Sequence, residues 1–346
     1  MLLAGCAAPG TKPLVDPFPL RFPLAEAGSL DIDGRIVGQP LARDGIVYLA
    51  TSDGFLTAVV VPAGRIFWRF RAGHPFSRGP ELGQGHIIIR DDAGTLYVLD
   101  RKGSLVLRSD LPWDISTAIR ESQSMIFFGT EDGKIVMFDP TGAGNVIWES
   151  RFDAIFSAGP AFAGDLIFFG TKDGRLLAID WNGATVWTFN ADGAVAADPI
   201  VDGNRLFLGT ENSRFTCLNA RTGKVAWSRR LQGAPLHPAI VRGGKLVVPA
   251  SNSVVYLLSS RGGSILSWEN IPSRIIFPLA AAGLYALVSS ATPDLMALDL
   301  LTGKKAGQHT ASGPLAAAAL WASPYVVVFE EAADSGQQRI VILRSR

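Results

Sequence analysis

The chain has 346 residues, 48% hydrophobic and 18% charged, with a formal net charge of +1 and two cysteines, Cys6 and Cys217. Near-neutrality excludes the broad basic field of a nucleic-acid or acidic-membrane binder, and two cysteines exclude a disulfide scaffold. No apolar run reaches the ~20 residues that a membrane-spanning helix needs, so the apolar content is core material for one large all-β domain or two smaller ones.

The chain opens MLLAGCAAPG. Leu3-Ala4-Gly5-Cys6 resembles the lipobox of bacterial lipoproteins, in which the cysteine receives lipid and becomes the first residue of the mature chain. Only five residues precede Cys6, fewer than the charged and apolar regions of an export signal. Either a signal lies upstream or the match is accidental. AAPGTKPLVDPF reads as a flexible tether, so residues 1–16 are expected to be lipobox and tether, and 17–346 one folded domain. The run FPLRFPLA, 17–24, is the first expected strand.

From there one pattern repeats every 39 to 41 residues. Tight turns recur at SDGFL (Gly54), AGTLY (Gly94), EDGKI (Gly133), KDGRL (Gly174), NSRFT (Ser213), NSVVY (Ser253) and TPDLM, with an irregular eighth copy in EEAADSGQQRIVIL. A proline precedes most copies, a second Gly turn follows, and then a tryptophan: Trp68, Trp148, Trp187, Trp227 and, one place late, Trp268. Markers that stay in phase over such a length are the signature of a repeat architecture. Within 158–190 four short runs, PAFA, LIFFGT, RLLAID and ATVWTF, are rich in β-branched and aromatic residues and bounded by Gly, Asp or Asn, as strands are. Asp173-Gly174 suits a type I′ turn between two of them. Each repeat is therefore expected to be a four-stranded antiparallel sheet. Such a sheet cannot hide both faces alone, but a ring of sheets can. The fold class expected is all-β, an eight-bladed β-propeller of four-stranded antiparallel blades. The last copy supplies three strands, at 314–319, 324–330 and 338–344. The run 17–24 completes it by pairing the two ends of the chain; a seven-bladed ring with a loose tail is the alternative. The recurring Trp is expected to wedge between blades, with an exposed stacking platform as the rival reading.

The unit carried by GIVYLATSDGFLTAV, GDLIFFGTKDGRLLAID and GNRLFLGTENSRFTCLNARTGKVAW resembles the PQQ-type propeller repeat over about residues 30–346. With LAGC and eight copies, it is most similar to the propeller lipoproteins of the outer-membrane β-barrel assembly machinery. That resemblance implies a non-catalytic scaffold on the periplasmic face of the outer membrane. It would be held by lipid on Cys6, its sole membrane contact, and be a monomer within a hetero-complex. It would dock on the POTRA domains of the central barrel-assembly subunit, contact other envelope proteins and bind no nucleic acid. The family docks through a Leu-Arg-Gly stretch and nearby acidic residues. The loosely similar text here is HPFSRGPELG, 74–83, which makes Phe76, Arg78 and Gly79 the candidate partner-binding residues; Ser77 stands where the family has leucine, and the stretch falls in an earlier blade.

A PQQ-dependent or other ligand-binding periplasmic propeller is one alternative, and a general envelope protein-interaction propeller another. Against the first, no two cysteines are adjacent, and Asp91-Asp92 lacks calcium-loop spacing. Asp53, Asp132 and Asp173 have a turn role that explains them. His74, His86, His237 and His309 form no HExxH or Cys/His cluster. No cofactor, metal or catalytic residue is therefore expected, and Cys217 reads as a packed small side chain.

Overall fold

The computed structural model describes residues 20–141, 144–332 and 337–346. Cys6 and the expected tether lie outside them. The described strands form eight four-stranded antiparallel sheets arranged as a propeller. Blade 1 runs Ile36–Arg43, Ile46–Thr51, Phe55–Val60 and Arg65–Arg71 from the axis outward. The next six blades repeat that order. Blade 8 takes Leu320–Ala322, Tyr325–Glu331 and Gln338–Ser345 from the end of the chain and its outermost strand, Leu24–Ile32, from the beginning.

Ring closure through the two chain ends thus holds, but the closing strand is Leu24–Ile32 and not 17–24. Its burial alternates, with Leu24 and Ile32 buried and the residues between them mostly exposed, and its register slips between Glu26 and Gly28. An outermost strand packs on one side only, so alternation is the pattern it needs, and an apolar run is not. The innermost strand of blade 8 is likewise Leu320–Ala322 rather than 314–319; before it, Leu315 makes only an isolated bridge to Glu330.

The core lies between blades. Eight apolar clusters each draw on two successive sheets, and the one joining Val327, Phe329 and Ile340 to Val47, Leu49 and Val59 completes the circle from blade 8 to blade 1. The two middle strands of each blade contribute to both neighbouring clusters. That is why they are apolar on both faces and carry no alternation.

Local chemistry sets the turns. In blade 4, Gly174 N–H donates to Thr171 O (3.2 Å), while the Thr171 hydroxyl donates to the Asp173 carboxylate. Gly174 has φ +86°, and Asp173 is not left-handed. The connection is therefore a three-residue loop closed by a left-handed glycine, and not the expected type I′ turn, which needs two positive φ values. Asp53 and Asp132 accept from Thr51 and Thr130 in the same way. Ser213 and Ser253 occupy the glycine place with φ of 61° and 63°. A left-handed conformation costs a non-glycine residue ~1 kcal/mol. Ser213→Gly and Ser253→Gly are each expected to stabilise the protein by about 0.5–1 kcal/mol, read as a higher urea midpoint with unchanged slope.

The tryptophans are interblade wedges. Each indole N–H donates to a carbonyl 33 residues ahead, in the next blade: Trp68 to Arg101, Trp148 to Trp181, Trp187 to Ala220 and Trp227 to Ser260. The ring covers a turn glycine there; a Cβ on Gly223 would stand 2.7 Å from Trp187, and one on Gly263 2.4 Å from Trp227. Trp268 breaks the rule. Trp187 and Trp227 sit opposite Ala178 and Cys217, just before a bulge, whereas in blade 6 that place holds Ser267 and Trp268 falls opposite Tyr256. A one-residue slip turns a side chain to the other face, and Trp268 is 56% exposed. Blade 7 has Gly307 at the wedge position, and there Phe22, just ahead of the closing strand, lays its ring over the gap. Trp227→Ala is expected to cost about 2–3 kcal/mol, and Trp268→Ala less than about 0.5 kcal/mol, by urea denaturation.

Candidate functional site

Each tight turn is hydrogen-bonded to the connection that enters its own blade: Ser52 N to Arg35 O, Glu131 N to Asp114 O, Lys172 N to Ile155 O. These connections and turns build one face of the ring, and the candidate stretch 74–83 belongs to it. The structure separates its three named residues. Phe76 is buried in the core between blades 1 and 2. Gly79 is part of a backbone contact: a Cβ on Gly38 would stand 1.9 Å from Gly79 N, and one on Gly79 would stand 2.5 Å from Gln39 O. Arg78 alone of the three offers its side chain to solvent, at the rim of the axial cavity. On the same face, Glu131, Asp132, Asp153, Asp173 and Arg151 line an open groove of about 620 Å³ between blades 3 and 4, with exposed Ile155 beside them; Asp173 pairs with Arg175 at 2.6 Å and Asp132 stands 3.9 Å from Arg151, which leaves the groove acidic on balance.

The axial cavity, about 510 Å³, is the second feature of this region. Leu41, Glu81 and Arg120 line it, and register shows what stands at their place in the other blades. The innermost-strand residues Leu41, Glu81, Arg120, Ala161, Ile200, Ile240, Ala280 and Leu320 pair with Tyr48, Ile88, Phe127, Phe168, Phe207, Val247, Leu287 and Val327, so they occupy one equivalent place in eight blades. Six are apolar; Glu81 and Arg120 are the charged pair, on neighbouring blades. Two residues nearer the connection, the corresponding place holds Gln39 in blade 1 and Asp198 in blade 5. Arg120 Nη2 donates to Asp198 Oδ2 at 2.9 Å, and its Nη1 lies 3.8 Å from Glu81 Oε2. Asp198 Oδ1 also accepts from Gly159 N at 2.8 Å. Gln39 exchanges hydrogen bonds with the backbone of Ala318 in blade 8. Polar groups therefore tie blades 2, 3, 4 and 5 together on one side of the axis and blades 8 and 1 on the other.

Electrostatics mark Glu81. Burial pushes its carboxyl up to about 7, opposed by Arg120 and reinforced by Asp198, as desolvation of a charged form does. For Arg120, burial works against the charge, but Glu81 and Asp198 together hold its pKa above the ordinary value. His237, also at the cavity wall, is pushed down by burial. Sequence reasoning did not single out this cluster. The usable signal was the alignment itself, which puts two opposite charges at a place otherwise apolar.

The remaining expected residues have structural work. Asp91 Oδ1 accepts from Ala93 N and Thr95 N, and its Oδ2 from the Tyr97 hydroxyl, so this carboxylate is committed to its turn. Cys217 is buried, and burial pushes its thiol up to about 11, away from nucleophile chemistry. Among the described residues no group of three His, Cys, Asp or Glu could hold a metal ion.

Comparison with known proteins is consistent with this architecture. The sequence profile of the outer membrane protein assembly factor BamB matches residues 56–143 and 131–328. The outer membrane protein assembly factor BamB of Nitrosomonas eutropha is 32% identical over 109 residues, 32% of this chain; the match spans only 26% of that relative's length. Among solved structures, BamB from Moraxella catarrhalis superposes with a TM-score of 0.75 at 18% identity, covering 94% of this chain and 98% of its own. The computationally designed Ika8 protein gives 0.76 at 18% identity, over 92% and 99% of the two chains. A quinohemoprotein alcohol dehydrogenase from Pseudomonas putida HK5 gives 0.72 at 13% identity, over 93% of this chain and 76% of its own. At such identities the structural likeness shows the fold alone.

Proposed function

Because the chain belongs to the family of the outer membrane protein assembly factor BamB, we propose that it is a non-catalytic scaffold of outer-membrane protein assembly, working on the periplasmic face of that membrane. The family match over most of the ring carries this reading. The fold supports it physically. Eight interblade cores hold the sheets rigidly, so a face made of their connections can present side chains to a partner at little entropic cost. In this proposal the partner is the POTRA-domain subunit at the centre of the assembly machinery, and lipid on Cys6 holds the ring at the membrane. Arg78, exposed at the rim of the cavity, is the docking residue retained from the expected three; Phe76 and Gly79 act indirectly by shaping its loop. The acidic groove between blades 3 and 4 supplies the opposite charge on the same face, which suits a partner surface of mixed sign.

The test separates anchor from docking. In cells expressing the full precursor, Cys6→Ala is expected to move the protein from the membrane fraction to the soluble periplasmic fraction. Arg78→Glu is expected to leave it membrane-bound but to reduce cross-linked recovery of the POTRA-domain subunit at least about 10-fold, as reversal of an interface charge does. Unchanged fractionation of Cys6→Ala defeats the anchor. A wild-type ring that recovers no assembly subunit defeats the scaffold.

A further inference from the structure

We infer that the axial cavity is a binding site for a small primary amine, with the Glu81 carboxylate as its counter-ion. This goes beyond the scaffold role and rests on the cavity alone. Its volume, about 510 Å³, lies within the range of small-molecule pockets. Much of its wall is aliphatic, with Leu41, Ile88, Ile115 and Ile119 facing an alkyl-sized space.

The polar groups are unevenly satisfied. Arg120 gives its short bond to Asp198, whose other oxygen takes the Gly159 amide. Glu81 receives no hydrogen bond from any described residue; its side chain is 29% exposed, at the cavity wall, and the nearest guanidinium nitrogen is 3.8 Å away. A carboxylate with unmet acceptors among aliphatic side chains is unfavourable, and a ligand that brings N–H donors and positive charge relieves it. The raised proton affinity of Glu81 reports the same deficit.

Other charges at the cavity do not reverse this preference. Arg90 donates Nη2 to the Trp113 carbonyl at 3.2 Å and stands 3.6 Å from Asp114; its Nε has no hydrogen-bond partner but is itself buried, out of reach of the cavity space. Arg78 is in solvent at the rim, and burial keeps His237 toward its neutral form. An incoming anion would find Arg120 already hydrogen-bonded to Asp198, whereas a cation finds Glu81 with a guanidinium 3.8 Å away but no hydrogen-bond donor. One ammonium with a short alkyl chain therefore fits both the charge and the walls.

Isothermal titration of the whole purified protein with n-pentylamine, 1-pentanol and pentanoate tests this. The amine is expected to bind at least about 10-fold more tightly than either of the others, the difference expected for a charge-assisted hydrogen bond. Glu81→Gln should bring amine affinity down to that of pentanol while the near-ultraviolet circular dichroism stays unchanged. A pH series on the wild-type protein needs no variant. Amine affinity should fall about 30-fold from about pH 8 to about pH 5.5, because only the ionised fraction of Glu81 competes for the ligand. No amine binding, equal binding of amine and pentanol, tighter binding of pentanoate, or an amine affinity indifferent to pH would each overturn the assignment.

Discussion

Arg339→Ala lowers the stability of the ring by about 3 kcal/mol or more, the expected cost of leaving a buried charge without its partner. Glu330 and Arg339 lie opposite each other on two strands of blade 8. The Glu330 side chain is 2% exposed; Arg339 Nε donates to its Oε1 at 2.6 Å. Ser312 donates its hydroxyl to the same oxygen and its amide to the other. Once Arg339 is gone, Ser312 is, among the described residues, the hydrogen-bond donor that remains to a buried carboxylate. The consequence for pH follows from the direction of the shift. Burial raises the Glu330 pKa, but the Ser312 hydroxyl, Arg339 and the Ser312 amide outweigh it and hold the pKa below the ordinary 4.5. A depressed carboxyl pKa contributes stability that is present above the unfolded value and is lost as pH falls through the folded one. The deficit of Arg339→Ala should therefore be full at neutral pH and shrink below about pH 4. Urea midpoints of wild type and variant at both pH values check this; a deficit that stays constant through the acid range refutes it.

Gly38→Ala is expected to be comparably damaging, about 2–5 kcal/mol, and to lower the yield of folded protein. Gly38 has φ +64°, which alone costs an alanine ~1–2 kcal/mol. Its Cβ would also stand 1.9 Å from Gly79 N and 2.8 Å from the Arg78 carbonyl carbon. Those are backbone atoms of the next blade's entry, so relief requires blades 1 and 2 to separate near the axis, and overpacking of that kind adds ~1–3 kcal/mol. The same movement displaces Arg78 and opens the cavity wall. Gly45→Ala is the control: its φ is +74°, but a Cβ there meets nothing within 4 Å. It should lose only the conformational part, ~1–2 kcal/mol. Thermal or urea unfolding of the pair separates steric from conformational cost.

Most of the architecture was legible because a blade is a local object. Its turns, its apolar middle strands and its wedge recur within some forty residues, and an in-phase repeat displays all of them at once. What the repeat could not display is where it is interrupted. The closing strand LAEAGSLDI shows little apolar character because it buries only alternate residues against one neighbour, so the neighbouring FPLRFPLA looked the better strand. PLAAAA, 314–319, looked like a strand because small apolar residues suit either a strand or a close-packed connection. Trp268 carried the right residue type one step out of register, and only pairing reveals that its face is reversed. At the candidate site, Phe76 became a candidate because HPFSRGPELG loosely resembles the family's docking stretch, yet an aromatic beside a turn is more readily used as core. Glu81, Arg120 and Asp198 come from three different blades, so their meeting is a property of the closed ring and is visible in no single copy.

The closing strand also has a consequence for synthesis. Leu24–Ile32 pairs with Gln338–Ser345, and Arg21 N donates to the Ser345 hydroxyl across 324 residues. The first of these segments must wait for the second, which is translated long after it. Until then it is an unlatched strand, and blade 8 lacks its outermost member. A nascent chain cut short of residue 338 has no latch at all, so the ring cannot close before that segment is made.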